Sequence, residues 1–76
     1  MYRIYYYWEN RPSYTVARSD SLAKAMSIAR YRANQHKNLM SVEIVDDNYE
    51  QIFVSREELL GPEESLMVKY GYKSLL

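Results

Sequence analysis

Residues 19–37, SDSLAKAMSIARYRANQHK, decide the fold. Leu22, Ala25, Met26, Ala29 and Ala33 recur at helical spacing and make one apolar stripe. Ser19, Asp20 and Ser21 supply candidate N-caps, because a short hydroxyl or carboxylate accepts from the unpaired amides of a first turn. The spacing therefore predicts a helix from about Leu22 to His36 or Lys37. Lys24, Ser27 and Tyr31 lie opposite the stripe, and Arg30, Arg32 and Lys37 flank it. No acid occurs between Ser21 and Lys37, so the helix is purely basic. Its alanines allow close approach to a layer built from bulkier side chains.

Both flanks of this helix read as hairpins. Upstream, Tyr2 to Trp8 is rich in residues that suit a pleated surface. Alternation puts Tyr2, Ile4, Tyr6 and Trp8 on one face and Arg3, Tyr5 and Tyr7 on the other. Glu9 to Ser13 carries turn chemistry, and Tyr14 to Arg18 follows as a short strand with Tyr14 and Val16 on one face. Downstream, Met40 to Val45 alternates, with Val42 and Ile44 on one face and Glu43 and Val45 on the other. Asp46-Asp47-Asn48 is a turn in which Asn48 tolerates a left-handed backbone. Glu50 to Val54 returns with Ile52 and Val54 inward and Gln51 and Phe53 outward.

Beyond the second hairpin, Ser55 and Glu58 have capping-box spacing and open a short helical turn ending at Gly61. Pro62 opens a further helix through Lys69 or Tyr70, closed by Gly71. The predicted fold is α+β. A ββαββ unit over residues 1–60 carries a four-stranded antiparallel sheet with one long helix on one face, and residues 61–76 form a short helical C-terminal tail. These patterns leave the strand order open.

With 76 residues the chain suffices for one domain, which buries only about 60% of the surface its unfolded form exposes. There are no cysteines, so neither disulfides nor thiolate zinc sites can reinforce it. Nine tyrosines, Trp8 and Phe53 supply bulk instead. The start, Ile4 to Trp8, is too short and too aromatic for a secretory signal, and no apolar stretch approaches a membrane span. A cytoplasmic location is expected.

Net charge is zero but unevenly placed. Residues 1–40 carry seven basic groups against two acids, a balance of +5, and residues 41–76 carry eight acids against three basic groups, a balance of −5. The halves can neutralise one another within the fold or between two copies.

Catalytic and metal chemistry find little support. Two glycines, Gly61 and Gly71, cannot make a phosphate-cradling loop. The single histidine, His36, falls near the helix end, where capping or aromatic packing explains it. Glu57, Glu58, Glu63 and Glu64 cluster at helix starts, where acids complement the helix dipole. Asp46, Asn48, Glu50 and Glu57 match calcium-loop spacing, but Gln51 stands where the loop requires glycine. No enzyme, metal or cofactor is expected.

The informative feature is the second sheet face. If Ile4, Val16, Val42, Ile44, Ile52 and Val54 face the helix, the reverse face carries Arg3, Tyr5, Tyr7, Val45, Phe53 and Tyr49. Either that face binds a partner, or the tail with Leu66, Met67, Tyr70 and Tyr72 folds over it. The leading expectation is a protein-binding regulator or inhibitor, of accessory or phage type, acting by occlusion through Arg3, Tyr5, Tyr7, Tyr49 and Phe53. A weak homodimer through the same face is also expected. The alternative is nucleic-acid binding, through the sheet aromatics or through Lys24, Arg30, Arg32 and Lys37 on the helix.

Overall fold

The computed structural model describes residues 1–11 and 16–75. Its elements are β1 (Tyr2–Trp8), β2 (Val16–Ser19), α1 (Leu22–Gln35), β3 (Leu39–Val45), β4 (Gln51–Ser55), α2 (Arg56–Leu60) and α3 (Glu63–Tyr70). The four strands form one antiparallel sheet in the order β2-β1-β3-β4. β2 and β3 both oppose β1, so they run in the same direction, and α1 carries the chain across β1 between them.

α1 starts at Ser21, whose side chain accepts from the Lys24 amide at 3.1 Å. Ala25, Met26, Ala29 and Ala33 are fully buried beneath it, against Ile4 and Tyr6 of β1, Val42 and Ile44 of β3 and Val54 of β4. Three of the four buried positions on this stripe are alanine, which brings the helix close enough for the Tyr6 ring to fill the gap. Among buried phenols, Tyr6 has its pKa pushed up by that burial.

The tail packs on the helix side of the sheet. Ser55 caps α2 by accepting from the Glu58 amide at 3.3 Å. The Glu58 carboxylate does not reach back as in a reciprocal capping box but turns to α3, accepting from Lys69 Nζ at 2.8 Å and the Tyr70 hydroxyl at 2.6 Å. Leu59 and Leu66 enter the same core as α1, and Tyr70 and Tyr72 pack at its margin. Arg30 of α1 clasps the chain between α2 and α3, donating to the Leu59 carbonyl at 3.2 Å and the Gly61 carbonyl at 3.0 Å. Gly71 ends α3 at φ 70, the left-handed conformation for which glycine carries no Cβ penalty.

Two local expectations are corrected. Val16 does not face the helix: the register Ile4↔Ala17 places Ala17 on the inner face, so Val16 and Arg18 turn to the outer one. Hydrophobicity favours Val16 inward, but the facing follows from the pairing with β1, which sets Ala17 and Ser19 opposite Ile4 and Tyr2. In the second hairpin the left-handed residue is Tyr49 at φ 62, not Asn48. The Tyr49 amide donates to the Asp46 carbonyl and the Asp46 amide to the Glu50 carbonyl, both at 3.1 Å. That is a three-residue loop, in which the last position takes the left-handed bulge. Tyr14 lies outside the described residues.

Candidate protein-binding face of the sheet

The outer face is built in rows by the strand register. One row runs Val16, Tyr5, Glu43, Phe53 across β2, β1, β3 and β4. The next runs Arg18, Arg3, Val45, Gln51. Tyr7 stands opposite Ser41, beyond the first row. Alternation along each strand forces this composition, because Ile4, Tyr6, Val42, Ile44 and Val54 occupy the core side.

Nothing among the described residues covers this face, since α1, α2 and α3 all contribute to the core on the other side. Phe53 is 60% exposed, Val16 42%, Tyr7 40% and Tyr49 79%. Tyr5 and Arg3 are half-buried by their neighbours. Val45 and Glu43 are buried although they point outward, walled in by the larger side chains beside them.

Glu43 is the buried carboxylate of the face. It lies between Tyr5 and Phe53 in register and accepts from the Tyr7 hydroxyl at 2.7 Å. That hydrogen bond, more than burial, pushes the Tyr7 phenol up from its ordinary pKa, because the carboxylate favours the protonated hydroxyl. Sequence reading placed Glu43 outward but did not pair it with Tyr7. The pairing is diagonal across two strands and needs the register to be seen.

The five residues assigned to protein binding, Arg3, Tyr5, Tyr7, Tyr49 and Phe53, are brought together on or at the margin of this face. The Arg3 guanidinium stands 5.8 Å from the Tyr49 ring centroid. Val16 and Arg18 join them, a facing that the pattern of so short a strand does not show and that the register with β1 sets.

The four basic positions of the helix do not form a common surface. Lys24 pairs with Asp20 at 3.2 Å. Arg30 is committed to the carbonyls of Leu59 and Gly61. Arg32 lies 5.9 Å from the Tyr6 ring centroid, and Lys37 is exposed past the helix end. His36 caps that end, its amide donating to the Arg32 carbonyl, and its ring meets Trp8 edge-on at 5.5 Å. Trp8 in turn carries the Arg11 guanidinium at 4.2 Å.

Asp46, the first residue of the calcium-like spacing, uses its carboxylate to hold the turn, accepting from the Asn48 and Glu50 amides at 2.8 and 3.0 Å. Among the described residues no three His, Asp or Glu side chains gather as a metal site. Nor is any helix among them long and apolar enough to cross a membrane. No protein-family model, curated protein or solved structure matches the chain.

Proposed function

We propose that this chain is a non-enzymatic protein-binding module, a small regulator or inhibitor of cytoplasmic location that occludes its partner with the outer sheet face. The observation that carries the reading is the row Val16, Tyr5, Glu43, Phe53 with Tyr7 beside it, in which Val16, Phe53 and Tyr7 are exposed, Tyr5 is half-buried and Glu43 is buried, on a sheet whose other face packs against the helices. A large apolar patch left exposed on a small domain marks an interface. Tyrosine suits one because it offers a rigid ring with a polar tip at small entropic cost. Strands hold these rings in fixed spacing, which lowers the ordering needed on binding.

Among the described residues, Glu58, Lys69 and Tyr70 form a hydrogen-bonded cluster of titratable side chains. It ties α2 to α3, which accounts for it without catalysis. The nucleic-acid reading keeps one supporting observation, the presence of arginine among sheet tyrosines.

The test is parallel affinity capture from the native host with the natural chain and with Tyr5→Ser/Phe53→Ser. The variant is expected to fold, as judged by circular dichroism, and to lose a protein that the natural chain retains. Equal retention by both would overturn the reading. Capture of nucleic acid that falls steeply with salt would favour the alternative, since phosphate contacts release counterions.

A further inference from the structure

We propose that the corner of the outer face formed by Arg3, Arg18 and Tyr49 is a carboxylate-binding site, and that the partner presents an acidic protein segment to it. This rests on the reading of that face as a protein-binding surface and specifies the partner's chemistry.

Arg3 and Arg18 are Cα partners on adjacent strands, with both side chains on the outer face. The ladder makes this opposition tighter still. The Asp46–Glu50 amide bond closes the second hairpin, and hydrogen-bonding direction alternates from there. Phe53 and Glu43 therefore form a non-hydrogen-bonded pair, and Tyr5 and Arg3 turn their backbone groups toward β3. Arg3 and Arg18 then form the narrow, non-hydrogen-bonded kind of pair on the β2 side, in which side chains lie closest. Two like charges in that position repel, and an anion seated between them relieves the repulsion.

The Asp47 carboxylate, held by the Met1 amino group at 2.7 Å, offsets the Arg3 charge only weakly, and neither Arg3 nor Arg18 has a carboxylate within ion-pair distance among the described residues. The neighbouring acids are committed elsewhere. Glu43 accepts from Tyr7, Asp46 holds the turn amides, and Asp47 pairs with the Met1 amino group at 2.7 Å. The Arg3 Nε is buried and has no hydrogen-bond acceptor, an unmet donor on a face that is otherwise satisfied.

Tyr49 adds an independent observation. It holds φ 62, where a residue with a Cβ is strained and where hairpins of this kind ordinarily use glycine. What the tyrosine adds at that strained position is a ring beside the Arg3 guanidinium. The ring flanks the guanidinium at 5.8 Å and leaves an edge of the fork to meet a carboxylate, the geometry for which arginine is suited. Beside the corner lie Tyr5 and Val16, so an acidic residue docking there brings its neighbours onto apolar surface. Stacked bases could use the rings, but the arginine row continues into Val45, and the row beside it holds Val16, Tyr5 and the buried Glu43, whose charge opposes a run of phosphates passing along it.

The experiment titrates the isotope-labelled chain with a random glutamate–tyrosine copolymer, a lysine–tyrosine copolymer and oligothymidylate, following the arginine Nε–Hε and backbone resonances. The glutamate copolymer is expected to shift the Arg3 and Arg18 signals, and Arg3→Gln/Arg18→Gln to weaken its binding about tenfold, as loss of charge-assisted hydrogen bonds implies. The lysine copolymer is expected to leave those signals in place. Equal binding by the natural and double-variant chains, or arginine signals that do not move, would overturn the proposal. Binding that depends on Phe53 but not on the arginines would overturn it while leaving the protein-binding face intact. Binding that depends on neither defeats both readings. Oligothymidylate binding more tightly than the glutamate copolymer would overturn the assignment of the anion to a protein.

Discussion

The Tyr7 hydroxyl donates to Glu43 Oε1 at 2.7 Å, a diagonal contact between β1 and β3 that satisfies the buried carboxylate of the outer face. The two residues are 36 apart in sequence. The bond therefore reports the assembled sheet rather than either strand alone.

Tyr7→Phe leaves Glu43 without that donor. Unfolding in denaturant is expected to show a loss of about 1 kcal/mol, reduced from the usual figure for a charged acceptor because Tyr7 is partly exposed. The alkaline limb should change as well. The Tyr7 phenol is raised in the folded chain, so its contribution is fully present below the unfolded value, about 10, and is lost as pH rises through the higher folded value. The variant should lose stability less steeply there. An unchanged midpoint at neutral pH would show that water replaces the hydroxyl without cost.

Acid should loosen the tail before the sheet. Lys69, and then Tyr70, hold the Glu58 carboxyl below its ordinary range by hydrogen bonding to the ionised form. A depressed folded pKa contributes stability that is present above the unfolded value, about 4.3, and is lost as pH falls through the folded one. Glu58 is partly exposed, so the contribution is on the order of 1 kcal/mol or less. Glu58→Gln should flatten the stability profile below about pH 4.3. Protection factors of the α3 amides should fall in the variant at neutral pH to those of the natural chain in acid. Equal slopes in the two chains would remove Glu58 from the acid response.

Tyr49→Gly should separate stability from binding. Removing the Cβ relieves a left-handed strain of about 1–2 kcal/mol, offset in part by the entropy of glycine in the unfolded chain. A net gain of about 0.5–1 kcal/mol is expected in thermal unfolding. A net loss would mean that the ring beside Arg3 contributes more than the strain costs.

Self-association is expected to be weak and to use the outer face. In a two-fold dimer that face meets itself, and rings can pack on rings. Sedimentation at high micromolar concentration should detect a dimer that survives moderate salt and that Phe53→Ser abolishes. A strict monomer under those conditions would reserve the face for a different partner.

Much of the fold is legible in short stretches because the forces involved are local. Helical spacing and Ser21 define α1, Ser55 and Gly61 bracket α2, and Gly71 ends α3. Period-two alternation separates Ile4 and Tyr6 from Arg3, Tyr5 and Tyr7, so the aromatic outer face follows from the sequence alone. Tertiary structure decided what depends on pairing between distant segments. The order β2-β1-β3-β4, the outward turn of Val16 and Arg18, and the packing of Leu59 and Leu66 on the helix side are of this kind. A strand of four residues carries too little pattern to choose its own facing, and one step of register exchanges its two sides. For that reason the opposition of Arg3 to Arg18 and the bond from Tyr7 to Glu43 exist only once the sheet is assembled.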